Sequence, residues 1–180
     1  MNRGVLVTGA ARGIGRAVAQ AFAASGDRVA VHYGTRHDRA QDTLESLPGP
    51  GHGLVRADLR DPAGAADLAA RAADLLDGVD VLVNNAAVSI AHPIAETPYK
   101  EWRAAWRETM DVNVFGAADV SYLVARHMID RLSDAVLAQS PFGRVATPEE
   151  VASAVRYLAS PEAVWSSGTV LDVNGASHLR

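Results

Sequence analysis

The chain has 180 residues, 17 Lys and Arg against 21 Asp and Glu, a formal net charge of −4 and no cysteine. That length suits one domain with a sizeable core, and the lack of cysteine excludes a disulfide framework, a thiolate zinc site and a cysteine nucleophile. The acidic balance argues against nucleic acid or an anionic membrane as main partner, and no apolar run approaches membrane-spanning length; the sequence reads as a soluble, cytoplasmic protein acting on small molecules.

Strand and helix alternate, the pattern of a parallel sheet covered on both faces. Val5-Leu6-Val7, bounded by Gly4 and Gly9, is an apolar run of the kind buried on two sides. A helix is expected over Ile14 to Ser25, apolar at Ile14, Val18, Ala21 and Phe22, with Gly26 placed for a left-handed cap. A strand over Val29 to Tyr33 follows, then a polar helix from about Arg39 to Leu47 that Pro48-Gly49-Pro50-Gly51 stops. Next come a strand at Gly53 to Ala57, a helix from Asp61-Pro62 to Leu76 and a strand at Val79 to Val83. Thr97-Pro98 and Thr147-Pro148 start two more helices with proline at the first helical position, and Thr147 with Glu150 forms a capping box. The last helix is expected to reach Ala159 with Val151, Val155 and Leu158 inward, and Thr169 to Val173 reads as a final strand.

Thr8-Gly9-Ala10-Ala11-Arg12-Gly13-Ile14-Gly15 lies between the first strand and the first helix. Three glycines by themselves often mark only a tight turn. With a strand before and a helix after, they let the backbone approach a ligand's phosphates, which amides at the helix start then hold.

The spacing of these glycines resembles the short-chain dehydrogenase/reductase family. Asp58-Leu59 is similar to that family's adenine-contacting pair, and Asn84-Asn85-Ala86-Ala87 to its Asn-Asn-Ala-Gly motif. Asn113 matches the helix asparagine placed behind the active site, and the carboxyl end from Gly143-Arg144 to Asn174-Gly175 most resembles the 3-oxoacyl-acyl-carrier-protein reductases. The resemblance implies a Rossmann-type doubly wound α/β sheet in a single domain spanning 1–180. It further implies reduction of a ketone or 3-oxoacyl thioester by a nicotinamide cofactor, in a homodimer or homotetramer. Gly9, Arg12, Gly13, Ile14 and Gly15 would hold the phosphates, Asp58 and Leu59 the adenine, Asn85 and Ala86 the nearer ribose, and Asn113 would support a proton relay. The second strand ends in His32-Tyr33-Gly34-Thr35-Arg36, with no carboxylate to grip the adenosine ribose. Arg12 and Arg36 each read alone as solvated charges; together at this edge they suit a 2′-phosphate, favouring NADP(H) over NAD(H).

The family's chemistry uses a serine, a tyrosine and a lysine four residues after the tyrosine, whose charge favours the phenolate. Here Lys100 is the sole lysine and Tyr99 adjoins it, so the two cannot share a helix face. Tyr122 and Arg126 have the spacing, but arginine is the wrong partner, and Tyr122 is expected to pack. The fifth and sixth strands of the family's sheet are also lacking. A segment is expected to be absent near Arg131-Leu132, where no turn residue separates two helical stretches; a disordered segment would leave the Cα atoms there farther apart than a peptide allows. The alternative is a truncated, non-catalytic member that binds nucleotide or partner chains. Six scattered histidines offer no metal-ligand pair, Ser89 reads as a loop residue, and Trp102 with Trp106 reads equally as core packing or as a contact between subunits.

Overall fold

The computed structural model describes residues 2–139, 144, 147–158 and 160–166. The chain divides into two compact units, Met1–Met128 and Ile129–Arg180. Every candidate site residue falls in the first.

In that unit β1 (Gly4–Val7), β2 (Arg28–Tyr33), β3 (Gly53–Arg56) and β4 (Val81–Val83) form one parallel sheet in the order β3-β2-β1-β4. Val5 lies opposite both Val29 and Val81, and Ala30 opposite Gly53. This is half of the doubly wound order, whose direction reverses between β1 and β4, the position at which such sheets open a crevice. Among the described residues the sheet has these four strands, in keeping with a sheet that lacks the fifth and sixth.

The unbroken apolar run of β1 has a direct cause. Val5 and Val7 face one side, packing with Val29, Val31, Ala19 and Ala23, the last two from α1 (Gly13–Ala24). Leu6 faces the other, against Leu68 and Leu76 of α3 (Pro62–Leu76) and Val120 and Val124 of α5 (Ala117–Gln139). Each such fully buried side chain stabilises the fold by roughly 1.5–3 kcal/mol relative to exposure.

The structure moves several expected boundaries. The inward face of α1 is Gly15, Ala19 and Ala23 rather than Ile14, Val18, Ala21 and Phe22. Small residues let the helix sit close on the sheet, Val18 and Phe22 flank the contact half-buried, Ala21 is exposed, and Ile14 is 77% exposed. Helix α2 spans His37–Glu45, beginning two residues early with Asp38 in its first turn, where an acidic side chain favours the helix dipole. Pro98 stands just outside α4 (Tyr99–Met110), with extended backbone, instead of at its first position. Asp61 caps α3 by accepting the Ala63 amide, and Gly26 takes the left-handed conformation after α1. Tyr122 is 68% exposed and is therefore not a packing residue.

Arg131 and Leu132 lie within helix α5. In the second unit α6 (Pro148–Leu158) starts with the expected capping box, Glu150 accepting the Thr147 amide at 2.7 Å and Thr147 Oγ1 the Glu150 amide at 3.2 Å. The inward side chains expected at Val151, Val155 and Leu158, and the strand expected over 169–173, lie outside the described residues.

Candidate functional site

The carboxyl ends of the strands are drawn together by bonds that continue the ladder. Thr8 N donates to Val83 O at 3.0 Å, Ala10 N to His32 O at 2.9 Å, and Ala57 N to Tyr33 O at 3.1 Å. The turn after β1 is therefore fixed from both sides before any side chain contributes. Gly9 and Gly13 have φ of +65° and +58°, conformations that disfavour any residue with a Cβ. A Cβ on Gly9 would lie 2.8 Å from Ala86 Cα, and one on Gly15 would lie 2.5 Å from both Asn85 Nδ2 and Gly9 O. A Cβ on Gly13 would meet nothing within 4 Å. The backbone thus forms a cradle closed toward β4 and open at Gly13. The first amides of α1 have no partner within the helix, and no side chain caps them.

The segment after β4 is stitched at successive residues. Asn84 Nδ2 donates to Ser121 Oγ at 2.8 Å. Asn85 donates its backbone amide to Thr8 Oγ1 at 2.9 Å and its side-chain amide to the carbonyls of Thr8 and Gly9 at 2.9 and 3.2 Å. Ala86 N also donates to Thr8 Oγ1, at 3.0 Å, while the Thr8 hydroxyl donates to Val83 O at 3.3 Å. Asn85 and Ala86 therefore brace the glycine turn.

Asn113 closes the same segment further on, accepting the Val88 amide at 2.8 Å and donating to the Val88 carbonyl at 2.9 Å, as a neighbouring strand would. It sits in a π-helical turn, Asp111–Gly116, rather than a regular helix. Gly116 explains how that turn fits: a Cβ there would lie 2.5 Å from Leu59 O. Π-turns of this kind re-aim side chains and recur at functional positions.

Asp58 follows β3, and Arg60 holds both its carboxylate oxygens, with Nη2 to Oδ2 at 2.6 Å and Nε to Oδ1 at 2.9 Å; these bonds keep its pKa below the usual carboxylate value. Arg60 also reaches Glu108 on α4 at 3.5 Å. The Leu59 side chain is buried with Val120 and Val124. Thr35 and Arg36 are exposed between β2 and α2, and Arg12 is exposed at the start of α1. Neither arginine has a side-chain partner among the described residues. The fold thus brings Gly9, Gly15, Asn85 and Ala86 into one contact network and leaves the two arginines free on the rim.

Two members of that network escaped the reading of the sequence. Thr8 and His32 are both buried. Their signal was present: each is a polar residue in an otherwise apolar strand sequence, at the carboxyl end where the next turn begins. Among the described residues no group of three metal-ligating side chains gathers, and no helix is long and apolar enough to cross a membrane.

Comparison with known proteins agrees with this geometry. The family model for short chain dehydrogenase matches residues 3–171, and the chain belongs to that family. It is 29% identical to the 3-oxoacyl-acyl-carrier-protein reductase FabG of Vibrio cholerae, over 97% of this chain and 96% of the relative. It is 39% identical to human L-xylulose reductase over 72% of this chain and 49% of that one. A blue fluorescent protein from a metagenomic library, solved in complex with NADPH, superposes with a TM-score of 0.62 at 30% identity, covering 69% of this chain and 50% of its own. The chain thus spans about half the length of the last two. The FabG alignment extends over 237 positions against 180 residues here, so at least 57 of those positions, 237 less 180, face a gap in this chain.

Proposed function

We propose that the chain binds NADP(H) at the carboxyl edge of its sheet and acts as an oxidoreductase, exchanging hydride between that cofactor and the carbonyl of a ketone or 3-oxoacyl thioester. The observation that carries the reading is the cradle at Gly9, Gly13 and Gly15, closed to side chains on the β4 side and open in front of the uncapped start of α1. These residues fit a pyrophosphate, which needs close backbone approach and unpaired amides.

In the proposed complex Gly9, Arg12, Gly13, Ile14 and Gly15 surround the phosphates. Thr35 and Arg36 flank the adenosine 2′-phosphate, Asp58 and Leu59 the adenine, and Asn85 and Ala86 the nearer ribose. The nicotinamide supplies or accepts the hydride when bound. The chain's own part is to bind and orient it. Asn113 holds the Val88 backbone and so fixes the wall that follows Asn85. No tyrosine stands four residues before Lys100, and no residue of this chain is assigned as proton donor.

That absence favours a second reading, in which the chain binds cofactor without turnover. Oxidation of NADPH in the presence of an acetoacetyl thioester and a panel of ketones separates the two. Turnover supports the reductase; saturable binding with no turnover leaves the nucleotide-binding reading in its place.

We further propose a cytoplasmic homo-oligomer assembled through α4 and the π-turn, where Trp106, Val114 and Phe115 are exposed and an open groove of about 430 Å³ runs beside Trp102. Sedimentation at micromolar concentration tests it, and a monomer would contradict it.

A further inference from the structure

Resting on the cofactor reading above, we infer that His32 is a positioning residue for the cofactor turn: in its neutral form the ring ties the phosphate-side amide of Gly9 to the adenine-side carbonyl of Ala57, and protonation releases that tie.

The tautomer follows from the partners. Gly9 N is a donor only and lies 3.1 Å from His32 Nδ1, so Nδ1 must carry the lone pair. Ala57 O is an acceptor only and lies 3.3 Å from Nε2, so Nε2 must carry the hydrogen. The His32 backbone carbonyl takes the next amide of the turn, Ala10 N, at 2.9 Å. One residue of β2 therefore holds two successive amides of the glycine turn and reaches the segment leading into Asp58. With a proton on both nitrogens the ring would present an N–H to the Gly9 N–H, and the bond to the left-handed Gly9 would be lost.

The surroundings favour the neutral ring. His32 is 3% exposed. Burial holds its pKa below 6.5, against the opposing effect of the bond to the Ala57 carbonyl. On the β1 side it meets the turn amides. At the end of β3 the charged groups are Arg56, which donates to the Gly34 carbonyl at 3.2 Å, and Asp58 and Arg60, which pair with each other. Helix α3, packed on β2, turns Ala65, Leu68 and Ala72 inward, with its Asp67–Arg71 pair in solvent. Among the described residues no acidic side chain is bonded to the ring.

The test has two arms. In the wild-type protein without ligand, nitrogen NMR of the ring and of labelled glycine should show Nε2–H at pH 7.5 and a Gly9 amide that shifts with the His32 titration below pH 6.5. A ring carrying Nδ1–H, or a Gly9 amide indifferent to that titration, overturns the inference. In the second arm NADPH dissociation constants are measured from pH 7.5 to 5.0 for wild type and for His32→Asn, whose Oδ1 keeps an acceptor for Gly9 but does not titrate. The ligand's own phosphate ionises near pH 6, so the readout is the difference between the two proteins. The variant keeps the Gly9 bond and loses the Ala57 one, so it should bind more weakly than wild type at pH 7.5 and change less on acidification, wild type losing at least fivefold more affinity between pH 7.5 and 5.0. Equal pH profiles with binding intact overturn the positioning role alone. No saturable NADPH binding, beside the expected NMR behaviour, overturns the cofactor reading and the role assigned to His32 in it.

Discussion

Thr8 and Asn85 hold each other through both main chain and side chain: the Asn85 backbone amide donates to Thr8 Oγ1 at 2.9 Å, and the Asn85 side-chain amide donates to the Thr8 carbonyl at 2.9 Å. This pair of bonds, both donated by Asn85, joins the ends of β1 and β4, the two parallel strands at which the order of the sheet reverses. Thr8→Val keeps the shape and removes the acceptor for two amides, those of Asn85 and Ala86. Each buried amide left unpaired costs about 1–3 kcal/mol. The variant should be less stable by about 2 kcal/mol or more in urea unfolding, whereas Thr8→Ser, which keeps the hydroxyl, should lose less than about half of that. Equal losses would show that the hydroxyl is idle.

Gly15 and Gly13 should respond differently to alanine. At Gly15 the new Cβ would meet Gly9 O at 2.5 Å and Ala10 Cα at 2.9 Å, both backbone atoms of the turn, which cannot yield without distorting it. Gly15→Ala should lower the unfolding midpoint and weaken NADPH binding more than tenfold. Gly13→Ala meets no protein atom, and its cost to the fold is the strain of a left-handed alanine, about 1–2 kcal/mol. Thermal unfolding and fluorescence titration of the two variants check the contrast.

Arg12 and Arg36 are exposed, so removing them should leave the fold intact. Arg36→Ala should raise the dissociation constant for NADPH about tenfold or more and leave that for NADH within about twofold, because only the former carries the phosphate a guanidinium can fork. Equal effects on both cofactors would remove the 2′-phosphate assignment.

At the other end of the sheet, Asp27 is buried and takes Arg3 Nη2 at 2.6 Å, with Arg3 Nε and the Arg3 backbone amide each at 3.1 Å. The Arg3 side-chain bonds hold its carboxyl below its ordinary value of 3.8. A carboxylate with a depressed folded pKa contributes stability that is fully present above the unfolded value and lost as pH falls through the folded one. Thermal unfolding should therefore separate wild type from Asp27→Asn clearly at pH 7, with the gap closing below about pH 4. A gap independent of pH would contradict the ion pair's role.

Much of the sheet could be read from the chain because β1 and the Val29-Ala30-Val31 stretch of β2 are buried on two faces and are therefore apolar. The cap of α3 and the capping box of α6 were legible for a local reason: their bonds join residues two or three apart. The α1 face was misread because close helix-to-sheet contact selects small residues, and Gly15, Ala19 and Ala23 give a weaker periodic signal than Ile14 or Phe22. The bonding partners of Thr8, His32 and Asn85 could not be read from spacing, because each lies more than twenty residues away.

The most direct test of the account is a fluorescence titration of the folded wild-type protein with NADPH. A saturable signal that Gly15→Ala weakens more than tenfold, with NADH binding more weakly than NADPH, is the predicted result. A wild-type protein that unfolds cooperatively yet gives no saturable signal with either nucleotide would contradict the claim that the turn after β1 cradles a dinucleotide.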